Sequence, residues 1–329
     1  MTAATFPTVV LNDGRKIPIL GLGCMEFVND QSLVRDTVYE AIKVGYRHFD
    51  TAWVYKTEKL VGEGIRKAID EGLVTRDQVF VTTKIFMWHL RHEDLIAQAK
   101  ESNENLGLGY VDLLLVHGPI PLKKNEKNDL FPVKEDGSPD IWEDVDIHTE
   151  TWGAMEQVVR LGIAKSIGVS NYSVKLLEKT IANAKIKPAV NQIEGNPFFQ
   201  QRDIVDYCKQ NGIVVTAYAP FGGPQRIKLP GMSEGFNKNQ EANKQNMWED
   251  ETINQIANKY KKTVSQILLK FHVSRGVTVI PKTIKKERLV ENANIFDFEL
   301  EGEDLDKLLA LDSGKTNAPV WFRTMLDHA

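Results

Sequence analysis

Eight short apolar runs punctuate the chain, each separated from the next by a longer amphipathic stretch. They are "IPILGLG", "YRHFD", "QVFVTTK", "YVDLLLVH", "AKSIGVS", "AVNQ", "VVTAY" and "GVTVI". Runs that are apolar on both faces belong to strands covered on both sides, the mark of a parallel sheet wrapped in helices. The intervening stretches, such as "SLVRDTVYEAIKVG", "EKLVGEGIRKAIDEG" and "HEDLIAQAKESNENLG", carry the helical period and end in Gly, as helix C-termini prefer. Eight strand-helix units are the number that closes a (β/α)8 TIM barrel. An open doubly wound sheet would need a G-x-G-x-x-G turn after its first strand, and "GLGCME" fails that pattern. The expected fold is therefore α/β, one (β/α)8 barrel domain over residues 1–329. "TVVL", the turn "NDG" and "KIPILGLG" predict an N-terminal β-hairpin. Two long loops, Pro119 to Ile147 and Pro220 to Asn246, leave the C-terminal ends of strands, where barrel enzymes keep their active sites.

Polar residues end these strands where Val, Ile or Leu would suit a core. Asp50 ends the second, with Tyr55 close behind; Lys84 ends the third and His117 the fourth. Ser170 and Asn171 end the fifth, Asn191 and Gln192 the sixth, Tyr218 the seventh. Taken singly, each has an ordinary reading: a half-buried phenol, a solvated amine, a packed histidine, a helix cap before "TEKL". A closed barrel brings all of them to one mouth. There, lost hydration lowers the pKa of Lys84, and Asp50 holds the amine as ammonium. That charge is expected to lower the Tyr55 pKa and make the phenol a proton donor to a carbonyl oxygen, with neutral His117 orienting the carbonyl. The set offers no reductant, so a reduction needs a cofactor to supply hydride.

The last strand runs into "VIPKTIKKERLVEN", which places Lys282, Thr283 and Arg288 just past its end. Barrel phosphate sites form at loops after the last strands. Two cations and a hydroxyl there suit a phosphate monoester such as the 2′-phosphate of NADPH. A solvated charge run accounts for Lys285 and Lys286 but less well for Lys282, which directly follows "VIP". Tyr218 is placed to stack on a nicotinamide ring, and Ser170, Asn171 and Gln192 to bond its carboxamide.

Composition narrows the partners. A net charge of -4 and pI near 6.0 give no basic field for nucleic acid. No apolar run approaches the roughly 20 residues that span a bilayer, and the N-terminus lacks a secretory pattern. Cys24 and Cys208 form neither a disulfide framework nor a metal-ligand spacing, so no metal is expected and the cytoplasm is the expected compartment.

The stretches "GYRHFDTAWVY", "VTTKI", "VDLLLVHGP", "KSIGVSN", "NQIEGNP" and "VIPKT....RLVEN" closely resemble the aldo-keto reductase family, in order and spacing along nearly the whole chain. The resemblance implies an NADPH-dependent, monomeric carbonyl reductase with a tetrad at Asp50, Tyr55, Lys84 and His117. It puts nicotinamide contacts at Ser170, Asn171, Gln192 and Tyr218, and adenosine-phosphate contacts at Lys282, Thr283 and Arg288, with Glu291 and Asn292 near the adenine. The substrate pocket then falls on Met25, Val54, Phe86, Gly118 and Phe131. Met25 and Gly118 stand where many members carry tryptophan, which implies an open pocket for bulky apolar carbonyls, steroid-like ones included. The tail residues Trp321, Phe322 and Met325 are placed to refill it. Two rivals remain: a Schiff-base aldolase with Lys84 as the amine, and a non-catalytic NADPH-binding barrel acting as sensor or partner subunit.

Overall fold

Strands β1 (Thr8–Val10) and β2 (Lys16–Pro18) pair antiparallel, with Val9 opposite Ile17. Leu11 N donates to Arg15 O at 2.8 Å, and Gly14 closes the turn at φ +85°, a left-handed value that glycine adopts without strain. This is the expected hairpin, in a computed structural model that describes residues 6–26, 30–136, 138–222 and 246–314.

The expected barrel is present as well. Its strands are β3 (Leu22–Gly23), β4 (His48–Asp50), β5 (Phe80–Ile85), β6 (Val111–Val116), β7 (Ala164–Ser170), β8 (Val190–Glu194), β9 (Val214–Tyr218) and β10 (Thr278–Val279). All neighbours run parallel in sequence order. The ends of the row meet through bridges from Leu20 to Val279 and from Gly23 to Lys282, with Gly21 N donating to Val279 O at 2.9 Å. The run "IPILGLG" divides: its first residues pair in the hairpin, and only Leu22–Gly23 form the first barrel strand.

Helices α1 (Leu33–Val44), α2 (Glu58–Asp70), α3 (His92–Leu106), α4 (Trp152–Arg160), α5 (Val174–Asn183) and α6 (Arg202–Gln210) lie between successive strands. In α1, Val34, Val38, Ala41 and Ile42 recur at helical spacing and are buried, and Gly45 ends the helix by donating to Ala41 O and Ile42 O. Helices α2 and α3 touch so closely that a Cβ on Gly62 would run into the Leu106 carbonyl. Between β9 and β10 stand α7 (Glu251–Tyr260) and α8 (Val264–Ser274), the latter opened by a Thr263/Gln266 capping box. Helices α9 (Lys286–Ala293) and α10 (Gly302–Ala310) complete the described chain.

The loop after β6 is folded back on itself, with antiparallel bridges Leu122–Ile141 and Val133–Pro139. Most of the second long loop, 223–245, and the tail holding Trp321, Phe322 and Met325 lie outside the described residues. At the N-terminal end of the barrel, Leu11 and Ile17 of the hairpin pack against Phe80, Leu113, Val190 and Val214. That end is stoppered with apolar side chains, which leaves the C-terminal mouth as the approach to the interior.

Candidate active site

Parallel registry carries the polar strand endings to one level of the mouth. Gly23 stands opposite Asp50, Asp50 opposite Thr82, and Ser170 opposite Gln192. Inside it, Lys84 is 0% exposed; its Nζ donates to Asp50 Oδ1 at 2.6 Å and to Thr51 O at 2.7 Å. Gln192 Nε2 donates to Asp50 Oδ2 at 2.7 Å, so both carboxylate oxygens are engaged. Asp50 is thus no cap for α2, whose N-cap Thr57 makes no side-chain cap bond. Burial pulls the Lys84 pKa down, and the adjacent Asp50 charge opposes that fall.

Tyr55 ends a 3-10 turn, Trp53–Tyr55, beside this pair, with Lys84 Nζ 5.2 Å from its ring centre. Its hydroxyl is 3.4 Å from His117 Nε2. His117, just beyond β6, is pushed well below the ordinary imidazole pKa by burial and then by the Lys84 charge, so it is neutral. The phenol corrects an expectation. Burial raises the Tyr55 pKa and the Asp50 charge raises it further, while the Lys84 ammonium is turned to that same carboxylate. Asp50, Lys84 and Gln192 are buried, whereas Tyr55, His117 and Tyr218 are half-buried and so reachable from the mouth.

A second chain of bonds steadies the neighbouring strand ends. Asn171, held at φ +63°, donates through Nδ2 to His117 O at 3.0 Å, and its Oδ1 accepts from Tyr218 OH at 2.9 Å. Ser170 Oγ donates to Gln192 O at 2.8 Å. Asn191 goes elsewhere: its Nδ2 donates to Tyr172 O at 3.0 Å, as the alternation along a strand requires. Thr57 Oγ1 donates to Cys24 O at 3.0 Å and lies 2.9 Å from Thr51 Oγ1, which ties the first two strand-end loops together.

Around the mouth from Tyr218, Lys282 follows β10 and Thr283 is buried beside it, its Oγ1 accepting from Lys285 N at 3.1 Å. Arg288 is exposed on α9, Asn292 is buried, and Glu291 Oε1 accepts from Thr263 Oγ1 at 2.8 Å. Lys286 is drawn off to Glu40 at 2.7 Å, in keeping with its reading as part of a solvated run. Lys282 Nζ, however, meets Glu26 Oε2 at 2.6 Å, a partner 256 positions away that no local pattern signals. Cys24, Met25, Glu26, Lys282 and Thr283 line a small cleft there. Cations and a hydroxyl at this end, with amides and a carboxamide further round, fit a phosphorylated dinucleotide, the Glu26 carboxylate excepted.

The opposite wall is aromatic and centred on Phe86. Its ring lies 6.3 Å from Trp53, 5.0 Å from Trp88, 6.3 Å from Phe131 and 6.2 Å from His117. Val54 belongs to the same cluster. Gly118 meets it through Met87, whose Sδ is 2.8 Å from where a Cβ on Gly118 would stand, while Met25 lines the cleft near Lys282. Among the described residues no group of His, Cys, Asp and Glu is arranged to hold a metal ion, and no helix is long and apolar enough to cross a membrane. The Asp50 contact favours the ammonium form of Lys84 and so opposes the free amine a Schiff base requires.

The family model "Aldo/keto reductase family" matches residues 19–313. The chain is 39% identical over 318 residues to an NAD(P)H-dependent D-xylose reductase of Candida tropicalis, covering 95% of this chain and 94% of that one. It is 39% identical over 308 residues to an NADP-dependent D-sorbitol-6-phosphate dehydrogenase of Malus domestica, covering 93% and 94%. Among solved structures, the aldo-keto reductase AKR2E4 of Bombyx mori in complex with NADP superposes with a TM-score of 0.82 at 38% identity, covering 97% of this chain and 96% of that one.

Proposed function

The chain belongs to the aldo-keto reductase family, and from that premise we propose that it reduces a bulky apolar aldehyde or ketone, steroid-like ones included, to the alcohol with NADPH. The observation that carries the reading is the pairing of the half-buried Tyr55 hydroxyl with neutral His117 Nε2, 3.4 Å apart, beside the buried Lys84–Asp50 pair. Bound NADPH would supply the hydride. Tyr55 stays protonated at neutral pH because burial raises its pKa, and it yields the proton only as the carbonyl oxygen becomes an alkoxide, a stronger base than a phenolate. His117, in the tautomer that carries the proton on Nε2, donates to the same oxygen and orients it. Lys84 and Asp50 position Tyr55 electrostatically. Ser170, Asn171 and Gln192 would hold the carboxamide, and Tyr218 the ring face. Lys282, Thr283 and Arg288 would take the 2′-phosphate, with Glu291 and Asn292 on the adenine side.

The relatives' names are those of reductases and dehydrogenases and lend nothing to a non-catalytic barrel. Two buried, unpaired cysteines go with a reducing cytoplasm. A panel of carbonyls scored by loss of NADPH absorbance tests the reading; a protein that turns none of them over refutes it.

Two narrower outcomes belong with it. Arg288→Met should weaken NADPH about tenfold and leave NADH unchanged, one charge-assisted hydrogen bond being worth about that much. Equal losses in equilibrium binding would move the phosphate elsewhere. Gly118→Trp must displace Met87 and fill the pocket, so it should cut kcat/KM for bulky ketones at least tenfold more than for small aldehydes, a ratio near that worth of one or two methylenes of pocket space. A uniform effect across substrate sizes would remove Gly118 from the pocket.

A further inference from the structure

Glu26 sits just past β3, its side chain 1% exposed and its Oε2 2.6 Å from Lys282 Nζ. Gln31 Nε2 donates to the Glu26 carbonyl at 3.0 Å and to the Tyr55 carbonyl at 3.3 Å, which anchors this backbone to the catalytic turn. Lys282 is 38% exposed, so its amine faces solvent on one side and Glu26 on the other. It is also an amine assigned to the 2′-phosphate, so any role for Glu26 in cofactor choice rests on that nucleotide reading.

A phosphate monoester carries about -1.5 to -2 charge at neutral pH. Brought to Lys282, it enters the field of a carboxylate of the same sign. Because that carboxylate is buried, solvent and salt screen the repulsion poorly. The amine must also divide its hydrogen bonds between two anions. A ribose bearing only hydroxyls meets neither penalty, and a carboxylate readily accepts a hydroxyl proton. Thr283 and Arg288 still favour the phosphate, so the effect is to narrow a preference and not to invert it.

We propose that Glu26 sets cofactor selectivity: by holding Lys282 and adding its own charge, it handicaps the 2′-phosphate, so that NADH binds nearly as well as NADPH. The test is equilibrium titration of protein tryptophan fluorescence with NADPH and with NADH, on the parent protein and on Glu26→Gln. The parent should bind the two within about tenfold of each other, and Glu26→Gln should tighten NADPH about tenfold while moving NADH less than twofold, as expected for removal of one nearby like charge. An unchanged ratio in Glu26→Gln, or an equal change for both cofactors, overturns the proposal. So does a parent that prefers NADPH a hundredfold, a result that stands even where the variant fails to fold. A parent that binds neither cofactor overturns the nucleotide reading itself, an outcome distinct from the others.

Discussion

Tyr55→Phe should lose turnover by roughly 10²–10⁴-fold, the usual contribution of a positioned general acid, and should bind NADPH as the parent does. The substitution removes a single oxygen. The ring keeps its edge-on packing against His117, at 5.6 Å between centres, so neither the fold nor the cofactor cleft is disturbed. What disappears is the O–H proposed to face the carbonyl oxygen. His117 remains, and because it is neutral it can still orient the substrate, which keeps KM near its parent value. Single-turnover rates with NADPH, alongside the equilibrium constant for cofactor, separate these effects. Turnover within a few-fold of the parent would remove Tyr55 from the proton's path.

The second large effect concerns stability. Asp50→Ala leaves the Lys84 amine fully buried with only the Thr51 carbonyl for company, and strands Gln192 Nε2 without its acceptor. Breaking a buried ion pair from one side costs about 3–5 kcal/mol, a large share of the stability of most domains. Urea denaturation should therefore show a midpoint far below that of the parent. The double change Asp50→Leu with Lys84→Met should recover most of the loss, because an apolar pair of similar volume strands no charge. Both proteins should be inactive. A single variant as stable as the parent would mean that water reaches Lys84, against the full burial of its side chain.

Strands β4 to β9 were legible because parallel strands buried on both faces read as unbroken apolar runs, and their polar endings stood out against that background. The convergence of Asp50, Tyr55, Lys84 and His117 followed from barrel closure alone. Other features depend on contacts that sequence spacing does not encode. "IPILGLG" is equally apolar on both sides of its division, so nothing local says that Lys16–Pro18 belong to the hairpin and Leu22–Gly23 to the barrel. The direction of the Tyr55 shift is set first by burial, which residue spacing does not reveal, and then by the Asp50 charge. The space beside Gly118 looked open because a missing side chain is visible in a sequence, whereas the thioether that moves into it is not. Glu26 had no signal at all: a lone acid in a loop gains meaning only from the lysine across the barrel seam.

The apolar stopper that β1 and β2 drive into the barrel floor turns the interior into a blind well with a single opening. Two reactants that share one doorway are expected to queue, and product-inhibition kinetics would show whether the deeper one arrives first and departs last.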